Sequence, residues 1–195
     1  MHSIGSDIVD LNLAKTQSNW QRNGFLEKQF TQKEQQEIYN SKNPFLQVWQ
    51  FWSMKEAAYK CYTQQVEKRF FAPLKFECTL ISKDQGTVFF EDKIFYTTTT
   101  FNPFYVSTIA KQNATTTSII SKIGKSDNVD KDLKTELASI VSLKLEEITK
   151  RKSSVGAPLY YYQEKKITQS CSISHHGNYG AFAFTLNNEF ERSTL

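Results

Sequence analysis

The chain is poor in cysteine: Cys61, Cys78 and Cys171 are scattered, odd in number and the only three. No pair has metal-ligand spacing, which argues against a zinc site and against a disulfide framework. Reduced core thiols are the expectation. Long hydrophobic runs are also missing. A bilayer-spanning helix needs roughly 20 consecutive apolar residues, and no stretch approaches that. Met1-His2-Ser3-Ile4-Gly5 lacks a basic segment followed by an apolar one. No signal peptide is therefore expected, and the expected compartment is the cytoplasm. Glycine loops of the Walker or dinucleotide type are absent, which removes those two nucleotide-binding modes. Strong charge of one sign is absent too, since the formal net charge is only +4. Such a mild excess suits an acidic partner or a phosphorylated ligand, but it does not by itself indicate nucleic acid.

What is present suits an ordinary globular protein. Hydrophobic residues make up 39%, charged residues 23% and aromatics 14% of the 195 residues. That is enough for one large domain or two small ones with a well-filled core. Trp52-Ser53-Met54-Lys55-Glu56-Ala57-Ala58-Tyr59-Lys60 lies within a run from Pro44 to about Gln64 that reads as a helix. Phe45, Val48, Trp49, Trp52 and Tyr59 fall at helical spacing, and Glu56 projects from the middle of that stripe. Lys60 lies at its edge. A carboxylate on a buried stripe needs a partner or a cation.

Along the chain, Ile4-Gly5-Ser6-Asp7-Ile8-Val9-Asp10-Leu11 reads as a short buried strand interrupted by Asp7, with Asp10 ending it or capping a helix near Leu11. Thr31-Gln32-Lys33-Glu34 fits a capping box and opens a helix to about Asn40. After Arg69 the texture turns to strands: Lys75 to Ser82, Thr87 to Phe90, Ile94 to Thr100 and Phe104 to Ala110. Lys111 to Ser126 is rich in Thr, Ser and Lys and reads as a linker. Ser126-Asp127-Asn128 looks like a cap for a helix carrying Val129, Leu133, Leu137, Ile140 and Val141, and strands resume from about Glu147 to Leu186.

The two strand-rich regions echo one another, Ile81 to Ala110 against Thr149 to Ala183. The expectation is an α+β fold of two similar lobes, a pseudodimer with the active site in the cleft between them. The first lobe spans residues 1–112, a linker residues 113–126, and the second lobe residues 127–195. The first lobe carries Asp7, Glu56 and Lys60. The second has no counterpart of the Gly5-to-Asp10 stretch, but carries Ser174-His175-His176-Gly177.

Asp7 and Glu56, two carboxylates in apolar settings, suit Mg²⁺, which keeps several waters and bridges carboxylates to substrate phosphates. A Glu56–Lys60 surface pair is the plainer alternative, but it leaves the apolar face unexplained. A histidine at a strand end can bind phosphate or move a proton. Neighbouring strand residues point to opposite faces, so only one of His175 and His176 can face a given site. Lys150-Arg151-Lys152 is a basic cluster that serves either as a phosphate site or as a solvated edge.

Together these segments resemble the 4′-phosphopantetheinyl transferase superfamily. Gly5-Ser6-Asp7-Ile8-Val9-Asp10 resembles its Gly-x-Asp-Ile-Val/Glu motif, and Trp52-to-Lys60 its Trp-x-x-Lys-Glu-Ala-x-x-Lys motif. Ser172-Ile173-Ser174-His175-His176-Gly177-Asn178-Tyr179 is similar to Ser-x-Ser-His-x-Gly-x-Tyr. Gly156-Ala157-Pro158-Leu159 is similar to a Gly-Lys-Pro-hydrophobic segment. The resemblance implies Mg²⁺-dependent transfer of phosphopantetheine from coenzyme A to a serine of an acyl or peptidyl carrier protein, by a monomer that binds neither nucleic acid nor membrane. It implies that Asp7 and Glu56 hold the metal, that Asp7, Glu56 and Lys60 are catalytic, and that Lys55, Lys60, Ser174 and His175 meet coenzyme A. Two features depart from the pattern. Val9 stands where the two-lobed branch often has a second acid. Ala157 replaces the usual lysine, leaving Lys150, Arg151 or Lys152 to take the 3′-phosphate. The Ser-His stretch also follows the Lys-Glu helix, the reverse of the two-lobed branch, so the lobes are read as exchanged in order.

Overall fold

The computed structural model describes residues 3–70, 72–115 and 118–191. It is α+β, as expected. In the first lobe, β1 (Ile4–Asp10) is followed by α1 (Leu11–Gln17), α2 (Phe25–Gln29), α3 (Gln32–Asn40) and the long α4 (Pro44–Val66). Four strands complete it: β2 (Glu77–Leu80), β3 (Gln85–Phe90), β4 (Lys93–Phe101) and β5 (Tyr105–Lys111). They form an antiparallel sheet in the order β1-β5-β4-β3-β2 with β1 at one edge. The alternation of Lys93–Phe101 buries Phe95, Thr97 and Thr99 and turns Tyr96 and Thr98 outward, so one face of the sheet meets α4.

The helix boundaries follow from local chemistry. Thr31 and Glu34 form the expected capping box at the start of α3. Asn43 accepts the Leu46 N–H at 3.1 Å and Pro44 opens α4, where its missing N–H costs nothing. Asp10 is the N-cap of α1, accepting the Asn12 and Leu13 N–H groups, each at 3.0 Å. Gly5 is required by packing rather than by a turn. A Cβ there would lie 2.0 Å from the Ala57 carbonyl oxygen, so only glycine lets β1 lie directly on α4.

The second lobe repeats the wiring. It contains β6 (Ile120–Lys125), α5 (Val129–Ile140), β7 (Ile148–Lys152), β8 (Pro158–Tyr162), the two-residue β9 (Lys165–Lys166), β10 (Thr168–His176), β11 (Tyr179–Leu186) and the short α6 (Asn188–Glu191). The edge strand β6 pairs with β11, and β11 with β10, as β1 pairs with β5 and β5 with β4. β7 pairs with β8 as β2 pairs with β3. Here, however, the ladder is split into two three-stranded sheets.

Two expectations are corrected. Ile120–Lys125, inside the expected linker, is a strand, and it is the counterpart that Gly5-to-Asp10 was expected to lack. Its lysines and serine hide any alternation, and it is a strand because β11 supplies a partner, a tertiary effect that outweighs propensity. Thr116 and Thr117 of that linker, and Met1 and His2 of the N-terminal reading, lie outside the described residues. Second, Ser126–Asn128 is a single 3-10 turn, and the Asn128 side chain makes no capping bond.

Two cores result. One gathers around α4 with Phe51, Met54 and Phe95, the other around Leu133, Leu137, Phe182 and Phe184. The three cysteines are buried as unbonded thiols, Cys61 and Cys78 in the first core and Cys171 in the second, and burial pushes the Cys61 thiol up to about 12. Among the described residues no helix is long and apolar enough to cross a membrane.

Candidate active site

The candidate site begins where β1 lies on α4. Asp7 leaves the strand toward the helix, and Lys60 reaches back from it. The Lys60 ammonium stands 2.8 Å from Asp7 Oδ1 and 3.1 Å from the Ser6 carbonyl oxygen. Glu56, one turn before Lys60, completes the group. Asp7 is 8% exposed, and burial raises its carboxyl above the usual range although Lys60 opposes this. Burial raises Glu56 as well, and the charge of Asp7 raises it further. A carboxylate raised by the charge of a second one is a setting that a cation would relieve. Among the described residues no three His, Cys, Asp or Glu side chains gather around one point. The donor set is thus two carboxylates, which fits Mg²⁺ completed by waters and phosphate oxygens better than an all-protein cage. Val9 is a core residue, 4% exposed, and adds no acid.

The stripe expected on α4 holds at Val48 and Trp49, both buried, and is corrected beyond them. Val48, Phe51, Met54, Ala58 and Cys61, all fully buried, form the core face. Trp52, Glu56 and Tyr59 are only half-buried. The helix is buried on most of its circumference, with Gln50, Ser53, Lys55 and Thr63 buried alongside the apolar residues, so spacing alone could not choose its inner face. The truly buried charge on α4 is Lys55. Its ammonium meets Glu34 Oε2 at 2.8 Å, the Pro73 carbonyl at 2.9 Å and the Phe76 carbonyl at 2.6 Å. Three acceptors use all three donors of an ammonium. The expected contact of Lys55 with coenzyme A is therefore corrected to a structural ion pair. Glu34 is fully buried and also takes the Thr31 and Cys78 N–H groups, each at 2.7 Å.

The second lobe closes the free edge of β1 with side chains. The N–H groups of Ile4, Ser6 and Asp10 donate to Ser170 Oγ at 3.0 Å, Ser172 Oγ at 2.9 Å and His176 Nδ1 at 2.9 Å. The same offset places Ser174 opposite Ile8, but its buried Oγ has no partner. Asp10 accepts the Asn178 N–H at 3.1 Å, tying α1, β1 and the β10–β11 turn together. Burial would raise Asp10, but the N–H groups of Asn178, Leu13 and Asn12 outweigh it and hold the carboxyl below its ordinary value. Gly177 sits at φ +56°, where a Cβ would meet Asp10 Oδ2 at 2.4 Å. His176, not His175, is the histidine bound to the Asp7 strand. His175 is exposed on the opposite side of β10.

Between the lobes runs a cleft of about 260 Å³. Its walls include Lys60, Gln64 and Arg69 from the first lobe and Gly156, Pro158 and Ser172 from the second. Lys60 and Arg69 supply its positive charge. Sequence reasoning missed Arg69. Its Nε and Nη2 donate to the Val155 carbonyl, which fixes the guanidinium beside Gly156. Gly156 lies at φ +81°, and a Cβ there would come within 2.3 Å of Arg69 Nη2. The signal was available in the missing lysine at Ala157, but only the fold shows which cation stands nearby. The basic cluster is corrected: Lys150 pairs with Asp130, while Arg151 is held by Glu164 at 2.8 Å and lies over the Tyr161 ring. None of Lys150, Arg151 and Lys152 lines the cleft.

A family model described as the 4′-phosphopantetheinyl transferase superfamily matches residues 3–117, more than half of the chain. The protein therefore belongs to that superfamily, and its reaction class is phosphopantetheinyl transfer. The match covers the first lobe, with Asp7, Glu56 and Lys60, and stops before the Ser172-to-Tyr179 stretch. No curated protein matches the chain. Among solved structures the chain is similar to the holo-[acyl-carrier-protein] synthase of Thermotoga maritima, at 13% identity over 67% of this chain and 74% of that one. The TM-score is 0.46, too remote to bear on the reaction.

Proposed function

We propose that the protein transfers the 4′-phosphopantetheine group of coenzyme A to a serine hydroxyl of an acyl or peptidyl carrier protein and releases 3′,5′-ADP. The observation that carries this reading is the group of Asp7, Glu56 and Lys60 beside a cleft walled by both lobes. The serine oxygen bonds to the β-phosphorus as the bond from that phosphorus to the bridging oxygen breaks, and the adenosine bisphosphate leaves with the electron pair. A Mg²⁺ held by Asp7 and Glu56 would neutralise the charge that builds on the pyrophosphate.

The chain's own residues do the rest. Glu56, its carboxyl raised by burial and by Asp7, takes the serine proton directly or through one water. Lys60, 28% exposed at its side chain, reaches a phosphate oxygen from its place on Asp7. Arg69 takes a second phosphate, in place of the cation missing at Ala157. Both lobes line the cleft, so one chain completes the site, and a monomer working in the cytoplasm is the form we propose. The test is direct. Full-length protein, Mg²⁺, coenzyme A and an apo carrier protein are mixed, and the carrier is weighed by mass spectrometry. A carrier heavier by one phosphopantetheine is expected. If several apo carriers all stay unmodified, the reading fails.

A further inference from the structure

The side chains that close the free edge of β1 follow one rule with one exception. Ser170, Ser172 and His176 accept the N–H groups of Ile4, Ser6 and Asp10, and each contact joins residues 166 apart in the chain. β1 and β10 thus run in the same direction and in one register, joined by side chains. That register sets Ser174 against Ile8. Ser174 is 5% exposed, and its buried Oγ has no hydrogen-bond partner among the described residues. A buried hydroxyl without a partner costs stability and contributes nothing to the fold, so its place here needs a reason.

The Asp7 carboxylate lies at the same level. Burial raises it, while Lys60, His176 and the Ile8 N–H each pull it down, so all three stand near it. Lys60 also meets the Ser6 carbonyl oxygen, which places the ammonium and its carboxylate at the edge of β1 that faces the second lobe. Here Asp7 Oδ1 is taken by Lys60 at 2.8 Å. The inference rests on the transferase reading above, in which Asp7 helps to hold Mg²⁺ and Lys60 reaches a phosphate. Carboxylates that ligate a metal are themselves held by hydrogen bonds from their surroundings. We propose that the Ser174 hydroxyl is the donor that holds Asp7 when the metal binds. A hydroxyl proton rotates to suit its acceptor. Ser174 is then a positioning residue, unpaired in the metal-free protein and paired on loading. The wall of the inter-lobe cleft contains Ser172 and not Ser174, so Ser174 acts on Asp7 rather than on coenzyme A.

The experiment compares Ser174→Ala with Ser170→Ala in the full chain. Two quantities are read: the urea midpoint without metal, and Mg²⁺ affinity by calorimetry with coenzyme A present and no carrier protein. Ser174→Ala removes an unpaired hydroxyl, so the midpoint should hold or rise, while Mg²⁺ binding should weaken roughly 10–100-fold, the range for losing a group that orients a metal ligand. Ser170→Ala strands the Ile4 N–H and Gln64, so the midpoint should fall and Mg²⁺ affinity should stay. Ser174→Cys keeps the volume but is a weak donor, and should lose Mg²⁺ affinity as the alanine variant does. Coenzyme A binding without Mg²⁺ should be unchanged in both Ser174 variants. Wild-type Mg²⁺ affinity in either of them overturns the proposal. A lower urea midpoint or loss of fold in Ser174→Ala overturns it too, since the hydroxyl would then be structural. So does weaker coenzyme A binding without Mg²⁺, which would make Ser174 a coenzyme A contact. Wild-type protein that binds neither Mg²⁺ nor coenzyme A sinks the transferase reading itself, and this role with it. Wild type that binds both while the Ser174 variants match it sinks only the role of Ser174.

Discussion

The two lobes share one wiring, and only one of them carries the acids. In the first, Asp10 stands opposite Tyr105 in the strand register, and three residues back is Asp7. In the second, Lys125 stands opposite Tyr179, and three residues back is Lys122. Tyr105 and Tyr179 themselves meet at 5.0 Å between centroids, across the lobe interface. Equivalent positions thus hold carboxylates in one lobe and ammonium groups in the other. The second lobe also has a shorter helix, 12 residues against 23, and a sheet split in two. It serves instead as a wall. Its serines cap the edge of β1, and its Gly156 turn faces Arg69. This division of labour is what two copies of one unit, specialised after duplication, would show.

The contrast can be broken most severely at Glu56. Glu56→Gln should reduce carrier modification by roughly 10²–10⁴-fold, the range for loss of a positioned proton acceptor, while circular dichroism stays native. Near-normal turnover would remove Glu56 from the site.

Next in size is the buried pair. Glu34→Ala leaves the Lys55 ammonium without its carboxylate in the core, at a cost of about 3–5 kcal/mol by urea denaturation. The second lobe's exposed pair, Arg151 with Glu164, should behave oppositely, and Glu164→Ala should leave the urea midpoint where it was. Equal sensitivity of the two would erase the distinction between a structural charge and a solvated one.

Arg69→Ala should weaken coenzyme A binding roughly tenfold or more, the loss of one charge-assisted contact. Lys150→Ala and Arg151→Ala should leave binding as it was. The reverse pattern in calorimetry would return the 3′-phosphate to the basic cluster. The edge-strand glycines give a smaller contrast. Gly5→Ala drives a Cβ into the Ala57 carbonyl and should cost about 1–3 kcal/mol. Gly124→Ala meets only the tip of Asp132, at 3.2 Å, and should change stability by under about 0.5 kcal/mol.

The smallest effect is on pH dependence. The carboxyls of Asp7 and Glu56 are raised in the folded protein, so their contribution to stability is present below the unfolded carboxylate range and is lost as pH rises through the raised values. Glu56→Gln should therefore raise the melting temperature of the metal-free protein slightly at pH 8 and hardly at all at pH 4. The wild-type affinity for Mg²⁺ should fall as pH drops through the same window, because protons compete for the two carboxylates. A melting curve for Glu56→Gln that tracks the wild type at both pH values would argue against a repelling pair.

Much of this architecture is legible in residue order. Thr31 with Glu34, and Asn43 with Pro44, announce their helix starts because capping is local. The strands of the first lobe follow their alternation. Asp7 and Glu56 stood out because an acid among apolar neighbours needs a reason. Lys55 and Lys60, five residues apart on one helix, looked alike in sequence. Their different fates depend on what each meets: Glu34 and two carbonyls for one, Asp7 and a cleft for the other. The strand Ile120–Lys125 was hidden because its partner, β11, lies more than 50 residues later. Arg69 was hidden because it acts on a turn in the other lobe.

The sequence by itself determined the helix starts at Gln32 and Pro44, the strands of the first lobe and the family motifs, and it singled out Asp7 and Glu56, since these rest on local propensity and on short spacing. The tertiary structure alone decided which face of α4 is core, which lysine is structural, which histidine holds β1 and which cation faces the cleft. Each of those depends on long-range packing that supplies or removes water and partners around a charge, and the free energy of a charge is set by that surrounding rather than by its neighbours in the chain.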